Sequence, residues 1–265
     1  MQPIRILVDE PHFLLVDKPA GLLTQAIPGI PDLQKILTVQ IKQQLDHSGQ
    51  PFIGLPHRLD RGTSGVLLVA RNARSLTRLS EQFHSRKIEK FYLAILEGKL
   101  PQNLGTWEDF VRKIPDHPQA EVTQASVPGS KYATLTVRTI LHHASVTLVL
   151  IRLLTGRMHQ IRVQAASRGT PVFSDTLYGS QLACPFQSPN LESSDFGSIS
   201  NTLPLPLHAL RIEFRHPQTA RPTQGTCPIP SYWSELSPSI FLAAKELADI
   251  SSQTEPNMFL KQYFN

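Results

Sequence analysis

Apolar residues in this chain gather in short runs of strand length, and helical spacing interrupts them at only a few places. Residues 13–16, 66–70, 90–96, 131–140, 145–153 and 207–214 each carry strand-like apolar content, and 131–153 reads as a hairpin turning near His142-His143-Ala144. Helical spacing is confined to 33–45, to 73–86, to a segment opening at Thr155 and closing at Gly169 with Pro171 beyond, and to an amphipathic stretch at 241–250. Residues 101–129 are a polar, Pro-containing connection with little periodicity. Residues 180–205 form a Ser-, Pro- and Asn-rich loop long enough for a functional excursion. The strict strand–helix–strand rhythm of a parallel sheet is missing. The pattern predicts an α+β fold around a largely antiparallel sheet.

At 265 residues the chain is long enough for one large domain or two small ones, and no repeat or linker divides it. No run of about 18 apolar residues is present, so no membrane-spanning helix is expected. The opening MQPIRILVDEPHF carries acids where a secretory leader needs a basic and then an apolar stretch. Cys184 and Cys227 are the only cysteines and show no metal or redox spacing, which fits a reducing cytoplasm.

The formal charge is +5, and its placement says more than its size. Residues 57–99 hold nine basic and four acidic side chains and so carry the whole excess. Residues 151–174 add Arg152, Arg157, Arg162 and Arg168 with no acid among them. Clustered cations are what phosphate neutralisation requires, although a solvated helix face has the same composition.

The densest polar segment, His57-Arg58-Leu59-Asp60-Arg61-Gly62-Thr63-Ser64-Gly65, precedes an apolar strand. A carboxylate held there between two guanidinium groups suits nucleophilic attack better than general acid work. An Asp that caps a turn and pairs with Arg fits the same local chemistry. Residues 62–65 fall one short of a serine-hydrolase elbow, and His57 with Asp60 lacks a third metal ligand. Neither a P-loop nor a dinucleotide fingerprint occurs.

HRLDRGTSG resembles the catalytic-loop motif H-R-L-D-x-x-T-S-G of the RluA-type pseudouridine synthases. Val16-Asp17-Lys18-Pro19-Ala20-Gly21-Leu22, Lys90-Phe91-Tyr92-Leu93-Ala94, and Thr155-Gly156-Arg157-Met158-His159-Gln160-Ile161-Arg162 are similar to three further motifs of that family, in family order. Leu207-His208-Ala209 and His216-Pro217 follow in order, so the resemblance spans residues from about 13 to 233. It implies the pseudouridine synthase fold, with helices and loops flanking the sheet around a central catalytic cleft. It also implies an RNA pseudouridine synthase acting on rRNA or tRNA with no cofactor and no metal. Asp60 corresponds to the nucleophile, Tyr92 to the tyrosine that stacks on the target base and helps remove the C5 proton, and Arg162 to the cation paired with the nucleophile.

Arg58, Arg61, Arg157 and His57 are the expected RNA contacts, with Arg61 a wedge or phosphate ligand and His57 also a structural hydrogen-bonder. Residues 1–235 are expected to form the catalytic domain and 236–265 an extension packed on it or trailing from it. A cytoplasmic monomer without a separate RNA-binding module is expected. Two departures stand out: Gln164 where the family usually has His, and Ser174 before Asp175 where it usually has Gly. They put substrate positioning in question and are the sole support for an alternative, a non-catalytic RNA-binding protein on the same scaffold. An Asp-dependent hydrolase shares the carboxylate but lacks an acid/base partner at a recognisable spacing.

Overall fold

The computed structural model describes residues 3–26, 30–44, 49–100, 105–182 and 204–264. The chain opens with a hairpin, β1 (Arg5–Asp9) and β2 (Phe13–Lys18), followed by α1 (Leu33–Gln44), β3 (Ser64–Ala70), α2 (Ala73–His84) and β4 (Glu89–Glu97). Next come β5 (Gly105–Lys113), β6 (Ala120–Thr123), β7 (Lys131–His143), β8 (Val146–Leu153) and α3 (Gln160–Ala166). The last part holds β9 (Leu207–Arg215), β10 (Pro222–Thr226), α4 (Trp233–Leu236), α5 (Pro238–Gln253) and α6 (Met258–Phe264). Strands line up as β1-β2-β3-β9-β4-β8-β7-β5-β6. Every pairing is antiparallel except β3 with β9, which run parallel over Ser64–His208 and Gly65–Ala209. Beyond that contact, the second half of β9 takes β10 as its neighbour, so the sheet forks there.

The continuous apolar runs of β4 and β8 follow from cover on both faces. Tyr92, Ala94 and Leu96 of β4 join Val149, Ile151 and Leu153 of β8 in one core, with β2, β3, α1 and α3. The alternate residues Phe91, Leu93, Ile95, Leu148 and Leu150 point the other way, into a second core with α5 and α6. On α5 the buried positions Ile240, Ala244, Leu247 and Ser251 recur at helical spacing. Ser237 caps that helix, with Pro238 in its first turn. Arg211 of β9, fully buried, pairs with Glu213 at 2.7 Å and donates to Thr254 O at 2.9 Å, tying the end of α5 to the sheet.

Three expectations need correction. The connection 101–129 contains β5 and β6, whose burial touches only isolated positions such as Trp107, Val111 and Ala120, so no apolar run announces them. The helix expected from Thr155 begins at Gln160, and its N-cap is His159 in a left-handed conformation at φ 51°. Thr155 instead donates to Thr134 O at 3.2 Å and accepts Thr134 N–H at 2.9 Å, which pins the turn to β7. β10 had no counterpart in the sequence reading. The excursion at 180–205 and Cys184 lie largely or wholly outside the described residues.

Candidate active site

The loop 57–65 is clamped along its backbone. Thr24 Oγ1 donates to Leu59 O at 2.7 Å and accepts Leu59 N–H at 3.1 Å. Gly21 N–H donates to Arg61 O at 2.7 Å, Leu205 N–H to Gly62 O at 2.9 Å, and Thr63 N–H closes the turn on Asp60 O at 3.1 Å. Lys18, fully buried, donates through Nζ to Leu22 O at 2.7 Å and Pro19 O at 2.9 Å. Burial pulls its pKa down to about 7 against the opposing pull of Asp60. With so many backbone groups occupied, the loop holds the Asp60 side chain in one place.

That place is a cleft of about 630 Å³ whose lining brings together Asp60, Tyr92 and Arg162 from a loop, a strand and a helix. Arg58, His57 and Arg157 also line it; Arg61 does not, since its Nε donates to Gly21 O at 2.9 Å. His57 accepts Leu68 N–H at 3.0 Å through Nε2 and stacks on Phe83, 4.5 Å between centroids. Burial, helped by Lys90, pulls it down to about 3, so its ring is neutral. Arg157 braces the turn through Nε to Tyr132 O at 2.9 Å.

Asp60 Oδ2 stands 4.0 Å from Arg162 Nη1 and 4.0 Å from His159 Nε2. Arg162 has a nearer partner: its Nε and Nη2 donate to the two oxygens of Asp175 at 2.6 and 2.7 Å. Burial disfavours the guanidinium charge, but Asp175 outweighs it and the pKa is raised. Tyr178 stacks 4.9 Å from the Arg162 guanidinium, and its hydroxyl lies 2.9 Å from His159 Nδ1. Burial followed by Asp60 raises the Tyr92 phenol, which stays protonated through the neutral range. Sequence reasoning left Asp175, His159, Tyr178 and Lys18 without roles. Asp175 was signalled, because it survives beside the Ser174 departure.

The basic stretch 151–174 is largely neutralised by acids from elsewhere in the chain. Arg152 pairs with Glu89 at 2.8 Å, Arg162 with Asp175, and Arg168 with Asp109 at 2.9 Å. Only Arg157 of the four lacks a carboxylate partner among the described residues. Just before α2, Arg71 pairs with Asp9, and on α2 Arg78 donates to Pro217 O at 2.5 Å. Neither family departure lies in the cleft lining. Gln164 is fully buried and donates to Asp109 Oδ2 at 2.6 Å, fastening α3 to β5. Among the described residues no group of three or more His, Cys, Asp or Glu could hold a metal ion, and no helix is long and apolar enough to cross a membrane.

The fold is the pseudouridine synthase fold. The structures of human RNA pseudouridylate synthase domain containing 1 and 4 superpose with TM-scores of 0.67 each, at 23% and 21% identity. The first covers 92% of this chain and 90% of its own, the second 91% of each. Residues 12–167 match the RNA pseudouridylate synthase family, and the chain belongs to that family. Ribosomal large subunit pseudouridine synthase D of Xanthomonas campestris is 32% identical over 228 residues, 86% of this chain and 66% of its own length. The protein of the same name from Nitrosomonas europaea is 31% identical over 242 residues, 90% and 65%. The chain therefore spans about two thirds of the length of these curated relatives.

Proposed function

We propose that this chain is an RNA pseudouridine synthase that isomerises specific uridines in structured rRNA or tRNA, with Asp60 as nucleophile. The observation that carries the reading is the backbone-clamped Asp60 carboxylate sharing one cleft with Tyr92 and Arg162. In this reaction the N1–C1′ bond breaks, the uracil turns, C5 joins C1′, and the proton on C5 is replaced by one on N1. Attack by Asp60 assists detachment. Arg162, held by Asp175, presents Nη1 towards the carboxylate without quenching it in a full salt bridge. A phenol that keeps its proton supports Tyr92 as an aromatic wall for a turning base rather than as a free phenolate base.

Arg58 and Arg157 serve as RNA contacts at the cleft, His57 shapes the wall, and Arg61 acts through the loop it anchors, within reach of the flipped nucleotide's strand. Residues 1–235 form the catalytic unit and 236–265 brace the back of its sheet. The reaction needs no cofactor and no metal, and the protein works as a cytoplasmic monomer. The relatives named for the large ribosomal subunit favour rRNA as the substrate. The non-catalytic alternative rested on Gln164 and Ser174, which lie outside the cleft lining.

The test is to incubate the protein with transcribed tRNA and rRNA fragments and map pseudouridine chemically. Wild type should form product, and Asp60→Asn should lower turnover by at least about 10³-fold. Activity surviving the substitution would remove Asp60 from this role.

A further inference from the structure

The cleft that holds Asp60 also gathers three cations that take no part in the Asp60–Arg162–Asp175 cluster. Arg86, Lys90 and Arg157 all line the cleft. Lys90 Nζ lies 3.7 Å from the point where a side chain on Gly156 would begin. Burial lowers both Lys90 and Arg157, and the charge of Arg86 adds to it in each, with Glu89 opposing at Lys90, which places the three cations within mutual electrostatic reach. No salt bridge reaches any of them among the described residues. The nearest acid in sequence, Glu89, is engaged by Arg152 through two 2.8 Å hydrogen bonds. Arg157 spends only Nε on Tyr132 O, leaving its terminal nitrogens to the cleft. Arg86 sits in a left-handed conformation at φ 55°, a costly backbone for a non-glycine residue.

Packing three like charges together, one of them largely removed from water, destabilises the empty fold. Arrangements of that kind persist where an anion is to be bound. We propose that Lys90, Arg86 and Arg157 form a phosphate subsite that takes one backbone phosphodiester of the RNA strand beside the nucleotide placed against Asp60. The subsite rests on the reading of the chain as an RNA-modifying enzyme and adds Arg86 and Lys90 to the substrate-binding residues. A Cβ on Gly156 would meet Lys90 Nζ only in ordinary van der Waals contact, so the glycine sets the Arg157 turn directly against the ammonium group.

The experiment uses the full chain and a ten-nucleotide oligouridylate, with affinity measured from 50 to 300 mM salt. Each lost phosphate contact should flatten the log–log salt slope by about 0.7. Lys90→Gln and Arg157→Gln should each do so, Lys90→Arg should restore the wild-type slope, and Lys245→Gln on α5 should leave it unchanged. Lys90→Gln should also unfold at a higher temperature than wild type, because a repelled, desolvated charge is gone; a merely structural lysine would show the reverse. Wild-type slopes in Lys90→Gln and Arg157→Gln, or no salt-dependent binding by wild type, would overturn the subsite. Full slope changes in a protein that forms no pseudouridine would leave the subsite standing and sink the catalytic reading. Pseudouridine formed with unchanged slopes would do the opposite.

Discussion

Two carboxylates compete for Arg162, and the nearer one is Asp175, with two hydrogen bonds against a single 4.0 Å approach by Asp60. A planar guanidinium satisfied on one edge is a fixed object, and its remaining nitrogen can face a nucleophile without collapsing on it. Asp175→Asn removes that fixture and leaves a buried cation paired only at a distance. It should cost about 3 kcal/mol in a urea titration and lower turnover at least tenfold, as Arg162 closes on Asp60. Ser174, next door, holds φ at 61° where the family usually places glycine. Among the described residues its hydroxyl makes only a 3.3 Å contact, with Leu182 O. Ser174→Gly should therefore raise the urea midpoint by the equivalent of up to about 1 kcal/mol and leave turnover unchanged. A drop in stability would show that the left-handed turn is held by that hydroxyl instead.

At the scale of elements, the site depends on how closely β3 approaches β9. Gly65 has φ +115°, and a Cβ there would fall 2.3 Å from Ala209 O. Gly65→Ala should destabilise the fold by about 3 kcal/mol, read as a lower unfolding temperature, and displace the Asp60 loop that ends at this strand. The strands flanking the cleft were legible in the sequence because β4 and β8 are apolar on both faces. The Lys90–Tyr92 spacing and the HRLDRGTSG loop likewise carried the site. β5 and β6 were not legible, because each buries only a few separated positions among charged residues. The start of α3 was misplaced because the polar turn 155–159 is hydrogen-bonded to β7 and lacks helical backbone until His159 caps it. Clustering of arginines along the sequence was a poor guide to surface charge. Arg152 and Arg168 meet acids from distant segments, which no local count reveals, and Arg162 is claimed by Asp175 one residue past the stretch.

For the molecule as a whole, buried bases shape the response to pH. His208 is fully buried between Ser64 Oγ at 2.9 Å and Cys227 O at 3.3 Å, and burial pulls it down to about 4. Between about 4 and 6.5 the unfolded chain takes up a proton that the folded chain refuses. Stability is thus undiminished by this group above 6.5 and falls as pH drops towards 4. Burial likewise lowers Lys18 to about 7 and Lys90 to about 8, from 10.5. The unfolded chain again binds more protons through that alkaline window, so stability should keep rising from about pH 7 towards pH 9.5. Above about 10 the raised Tyr92 reverses the trend, because the unfolded phenol ionises first. Urea midpoints measured across pH should show an acid limb, a shallower neutral to alkaline rise and a downturn. Lys90→Gln should flatten the alkaline rise by up to one proton's slope, and bound oligouridylate should do the same to wild type, since an anion beside Lys90 lifts its pKa back towards the ordinary value. A flat profile between pH 7 and 9.5 in the free wild-type protein would mean that these two lysines are not held as bases under strain, and would remove the electrostatic tension on which anion capture at the cleft depends.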